Sequence, residues 1–180
     1  MMKRYIALLR GINISGKNKM AMPEVTSGFS ALGYAEVVTY LNSGNVVFSC
    51  MSEDTTLLSR QITAMIEKNF GLEIPVLVMP QDEVKDLLAC APAWWGNDNK
   101  DIYDNLIFLL PPLSIQEFSL AMGEPRAEYE RAYAEGNVIF WSFSRKEYQK
   151  TAWWSKTALS EIRDRITIRT ANTVRKIVNL

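Results

Sequence analysis

The sequence predicts an α+β fold made of two tandem ferredoxin-like subdomains, each βαββαβ, followed by a C-terminal helix. Three observations predict it. Residues 1–80 alternate strand-like and helix-like segments in that order, the order recurs over 103–180, and short residue matches fall at a nearly constant offset. A connector over 81–102 separates the two.

Tyr5-Ile6-Ala7-Leu8-Leu9 is apolar on both faces, as in a strand buried on both sides. Pro23-Glu24 opens a helix whose Val25, Phe29 and Leu32 share one face and which Gly33 ends. Val37 to Leu41 and Val46 to Ser49 flank the turn Asn42-Ser43-Gly44-Asn45 as a hairpin. Ser52, Glu53 and Asp54 start a longer helix with Leu58, Ile62, Met65, Ile66 and Phe70 inward and Gly71 as its stop. Ile74 to Met79 completes the first unit.

The connector carries a helix over Gln81 to Cys90 and an irregular stretch with Trp94-Trp95 and the acids Asp98 and Asp101. Strand Asn105 to Leu110, a helix near Ser114 to Met122, strands Glu128 to Tyr133 and Val138 to Phe143, a helix near Ser155 to Asp164 and strand Ile166 to Arg169 repeat the order. A short helix follows, for which Thr170 or Asn172 supplies the cap. Gly44-Asn45-Val46-Val47-Phe48 matches Gly136-Asn137-Val138-Ile139-Phe140 at an offset of 92, the same as Ile74 against Ile166. The first strands differ instead by 101, so about nine residues are inserted after strand one of the first copy. The doubly apolar strands imply that the sheet face without helices packs on the other repeat or on a second copy of the chain, a homodimer.

Those inserted residues belong to Arg10-Gly11-Ile12-Asn13-Ile14-Ser15-Gly16-Lys17-Asn18-Lys19, a loop rich in cations and amides and free of acids. Loops rooted at a strand end are common carriers of function. Gly11-x-x-x-x-Gly16-Lys17-Asn18 falls short of a P-loop, because Asn18 stands where a magnesium-binding hydroxyl is required and Pro23 delays the helix. A looser anion site is the alternative: Arg10, Lys17 and Lys19 supply charge, Asn13 and Asn18 neutral donors, and Ser43 and Asn45 of the hairpin turn face the loop. Arg169 and Asn172 add to it from the C-terminal segment. The same residues also suit a solvated loop whose asparagines satisfy local backbone.

The chain has 180 residues, 48% of them hydrophobic and 22% charged, with 20 basic balanced by 20 acidic. This balance gives no global field toward nucleic acid or an anionic membrane. No apolar run approaches the ~20 residues of a membrane span, and the run behind Lys3-Arg4 is too short for a signal core, so a cytoplasmic protein is expected. Histidine is absent, which removes Ser-His-Asp and Cys-His catalysis and histidine zinc sites. Cys50 and Cys90 match no metal spacing and read as free thiols. Asp98, Asp101 and Asp104 do not follow calcium-loop spacing and read as a solvated acidic loop, so no metal and no cofactor is expected. No nucleophile stands beside an activating base.

Tyr5 to Asn13, Gly16-Lys17-Asn18-Lys19-Met20, Thr39-Tyr40 and Ser43 to Phe48 resemble the bacterial family known as domain of unknown function 1697, DUF1697. Thr167-x-Arg169 with Asn172-Thr173-Val174 and Lys176 is similar to that family's C-terminal motif. Ser15, Asn42 and Thr170-Ala171 depart from its usual residues. The resemblance implies two related α+β subdomains and no established activity.

The function these residues suggest is a module that binds a small phosphate- or carboxylate-bearing ligand at the basic loop. Two alternatives stay open: an RNA-binding module, against which the pI of 6.4 argues, and a protein-interaction domain that docks through Trp94-Trp95 or Trp153-Trp154.

Overall fold

In the computed structural model, which describes all residues 1–180, the chain forms two four-stranded antiparallel sheets and six α-helices. It divides into two compact units, one formed by Met1–Asp86 with Lys176–Leu180 and the other by Leu87–Arg175.

The first unit runs β1 (Lys3–Leu9), α1 (Met22–Ala31), β2 (Ala35–Tyr40), β3 (Asn45–Cys50), α2 (Thr55–Phe70) and β4 (Val76–Pro80), with strand order β2-β3-β1-β4. β1 is central because its residues are apolar on both faces: Tyr5, Ala7 and Leu9 face α1 and α2, while Ile6 and Leu8 on the other face are equally buried. Val25 and Phe29 of α1 and Leu58, Ile62 and Ile66 of α2 close over the helix side. Phe29 lies edge-on to Phe48 at 5.4 Å, and Tyr34 stacks on Phe48 at 4.7 Å. Asp54 caps α2 by accepting from the backbone of Thr56 and Leu57, and Gly71, with φ of 65°, ends it in the left-handed region.

α3 (Gln81–Ala89) begins in the first unit and ends in the second, and α6 (Ala171–Ile177) carries the chain back. Gln81 is buried and its amide donates to the carbonyls of Ile177 and Leu180, both at 3.0 Å, which fastens this returning segment into the first unit. Arg4 adds a weaker bond to the Leu180 carbonyl at 3.3 Å.

The second unit runs β5 (Ile102–Leu109), α4 (Ile115–Met122), β6 (Glu130–Glu135), β7 (Val138–Ser144), α5 (Trp154–Leu159) and β8 (Ile166–Thr170), with strand order β6-β7-β5-β8. Element order and strand order thus match those of the first unit. Ser114 and Glu117 form a reciprocal capping box at the start of α4. The helix expected over Ser155 to Asp164 is shorter than its sequence pattern: the backbone leaves helical geometry at Ser160, and a 3-10 turn at Arg163–Arg165 lets Ile162 point into the core.

Three tryptophans, Trp95, Trp141 and Trp153, belong to this unit's interior. Trp95 is buried with its indole N–H donated to the Asn105 carbonyl at 2.7 Å, and Trp153 donates to the Gly123 carbonyl at 2.9 Å. Glu130, also buried, accepts from the backbone N–H groups of Arg126 and Ala152 and from the Trp141 indole. Lys156 is a structural cation, donating to the Met122 carbonyl at the end of α4 at 2.6 Å.

Candidate functional site

The loop after β1 is a built element rather than a solvated tether. Arg10 N–H donates to the Pro75 carbonyl, and Leu9 N–H to that of Gly44, so the loop's root is anchored to both neighbouring strand ends. Asn13 holds the middle. Its side-chain oxygen accepts from Met20 N–H at 2.8 Å, and its amide donates to the Met20 carbonyl at 2.9 Å and the Asn42 carbonyl at 2.8 Å. A narrow bridge joins Ile14 and Lys17 at the tip, and Asn18 donates to the Gly11 carbonyl at 2.9 Å.

Such a path demands left-handed backbone at Asn13, Ser15 and Asn18, with φ values of 53°, 49° and 48°. Asparagine tolerates that region better than most residues. The two asparagines are therefore occupied in shaping the loop. The loop exposes Lys17 and Lys19 together with Ile14 at its tip, and Arg10 is half-buried.

In the adjoining turn, Ser43 is exposed while Asn45 is fully buried, its amide donating to the Tyr40 carbonyl and to the Ser43 hydroxyl, both at 3.0 Å. Arg10, Asn13, Lys17, Asn18, Lys19, Ser43 and Asn45 are thus all carried by the first unit, and Asn13 joins loop to turn.

Arg169 and Asn172 belong to the second unit. Arg169, in β8, is 8% exposed, and its guanidinium donates to the Thr167 hydroxyl at 2.8 Å and the Ile168 carbonyl at 2.9 Å. Burial pushes its pKa down to about 10, which leaves it cationic at neutral pH. Asn172 lies exposed in the first turn of α6, which Thr170 caps through the Thr173 N–H.

Asp104 overturns the reading of an acidic loop. It lies inside β5, which begins three residues earlier than expected, and is only 9% exposed. The register sets it beside Ser142 of β7, whose hydroxyl donates to the Asp104 carboxylate, and sets Ser142 in turn beside Arg131 of β6. This row forms the floor of a cleft of about 390 Å³ with Trp94 and Tyr129 in its walls. Asp104 also borders a neighbouring cleft of about 330 Å³, where Arg145 lies 4.3 Å above the Tyr103 ring. The available sequence signal is a charged residue two positions before an unbroken apolar run. Asn97 to Asp101 hides it by making the whole stretch look like loop.

The family model described as a protein of unknown function, DUF1697, matches residues 2–140. Among solved structures, that of the conserved bacterial protein SP0830 from Streptococcus pneumoniae is similar at 28% sequence identity and a TM-score of 0.87, covering 99% of this chain and 98% of that one. No curated protein matches.

Proposed function

Since this chain belongs to the DUF1697 family of proteins of unknown function, we propose its role from its own residues: it binds a small phosphate- or carboxylate-bearing ligand at the loop 10–19. The observation that carries this reading is the pairing of fixed backbone with outward charge. Asn13 clamps the loop through three hydrogen bonds, Lys17 and Lys19 are exposed on it with Arg10 half-buried at its root, and the first acid in the sequence is Glu24. A preorganised loop binds at lower entropic cost than a mobile one, and the exposed Lys17 and Lys19 ammonium groups are compact charges that an oxyanion accepts. Asn13 positions the site instead of contacting the ligand.

We read the two units as ferredoxin-like copies of one duplicated module, 1–80 and 103–180, the support being their common element and strand orders. On that reading the loop is the addition that distinguishes the first copy. RNA binding and docking through the tryptophans have less support, because Trp95 and Trp153 are buried with their N–H groups satisfied.

Thermal melting with inorganic phosphate, nucleotides, sugar phosphates and citrate tests the proposal. At least one of these raises the melting temperature of the native sequence, and the doubly substituted Lys17→Ala, Lys19→Ala loses most of that rise. A native protein indifferent to every anion, or a double variant that responds like the native one, overturns it.

A further inference from the structure

The cleft in the second unit carries two opposite charges on one sheet face, and the first-unit loop plays no part in it. Asp104, Ser142 and Arg131 occupy neighbouring positions on β5, β7 and β6, so at the usual strand spacing the two charged residues start ~10 Å apart. Their side chains can lean over Ser142 toward each other.

We propose that this cleft binds a small molecule bearing both an ammonium and a carboxylate, the ammonium on Asp104 and the carboxylate on Arg131. Asp104 carries the argument. It is nine-tenths buried and lines both clefts, and the Ser142 hydroxyl donates to one of its carboxylate oxygens. A carboxylate with a single neutral donor keeps acceptor capacity toward the cleft it lines, and an ammonium supplies a further donor and a countercharge. Arg131 is exposed and free to close on a carboxylate with two parallel hydrogen bonds.

Having both signs on one row also sets specificity. Asp104, with Glu128 and Glu147 in the same lining, repels a simple acid, and only a ligand with both groups satisfies Arg131 and Asp104 together. The cleft volume of about 390 Å³ suits a compact organic molecule. Trp94 and Tyr129 offer aromatic surface to the ligand's remaining atoms. Glu130 takes no part, since its carboxylate is fully used by three protein donors. At the rim, the chain's own Lys150 shows that the surroundings accept an ammonium: its Nζ lies 2.9 Å from Glu147 and 5.2 Å from the Tyr129 ring centroid.

Isothermal titration of the full chain with each of the common amino acids, with methylamine and with acetate tests the proposal. At least one amino acid binds, and methylamine and acetate bind much more weakly. Asp104→Asn, which can keep the bond to Ser142, and Arg131→Gln, on an exposed side chain, each weaken that binding by ~10-fold or more. Should Asp104→Asn fail to fold, Arg131→Gln alone decides. Lys17→Ala with Lys19→Ala leaves amino-acid binding unchanged, which separates this cleft from the basic loop. Absence of binding by every amino acid at ~10 mM, native-like binding by Arg131→Gln, or a lone amine or acid binding as tightly as the amino acid overturns the proposal.

Discussion

The amide of Asn13 and the backbone carbonyl of Asn42 meet at 2.8 Å, fastening the loop after β1 to the turn between β2 and β3. Asn13→Ala removes this bond and both bonds to Met20, and places alanine at φ of 53°. A loss of about 2–3 kcal/mol is expected from the stranded backbone groups and the left-handed strain. Urea unfolding measures it. Faster hydrogen exchange at the Met20 amide would locate the damage in the loop.

Gly44 allows that same turn to lie against β1. Its φ is 82°, its carbonyl accepts from Leu9 N–H, and a Cβ there would sit 2.7 Å from both the Cβ and the carbonyl oxygen of Leu9. Gly44→Ala is therefore expected to cost about 1–3 kcal/mol. Thermal denaturation checks this, with Gly33→Ala as a comparison: it has similar φ but open space around the added carbon. It should cost less.

Glu130 serves three donors from within the second unit. Truncation by Glu130→Ala leaves the Trp141 indole and two backbone N–H groups without their acceptor, at a cost of at least about 3 kcal/mol. Glu130→Gln, which retains one acceptor oxygen, should fall between the variant and the native protein. Chemical denaturation followed by tryptophan fluorescence ranks the three.

Tyr34 gives the first unit an alkaline dependence. Burial, with a smaller contribution from the nearby Cys50, pushes its phenol up to about 12. The unfolded chain ionises near the ordinary value of 10, so it releases a proton more easily than the folded one. The stabilising contribution is present below pH ~10 and is lost as pH rises from there through ~12. Tyr34→Phe removes this linkage together with the hydrogen bond to Gln61. It is expected to be less stable at neutral pH and to lose stability less steeply above pH ~10. Equal slopes for the two proteins would show that Tyr34 does not contribute.

Much of the fold was legible because local chemistry and periodicity agreed. Asp54 and Gly71 bracket α2 where its apolar stripe begins and ends, and Ser114 with Glu117 starts α4. The interrupted helix after Trp154 was not legible, since the need to bury Ile162 is set by packing within the second unit. Family membership was readable from the N-terminal motifs. The site was harder. Amides in a basic loop look like ligand donors, and only the long-range bond to Asn42 reveals Asn13 as a clamp. Asp104 was misread for the same reason: its neighbours in sequence are polar, whereas the partner that defines it, Ser142, lies 38 residues away.

Gln81 receives its two carbonyl partners from residues 96 and 99 positions further along the chain. During synthesis the first unit's strands and helices all emerge from the ribosome well before those partners exist. Its buried amide therefore waits, solvated or provisionally paired, until the whole second unit has been translated. Final closure of the first unit is a late event on the nascent chain, and a ribosome stalled late in the second unit would display a first unit that protease can still open at α3.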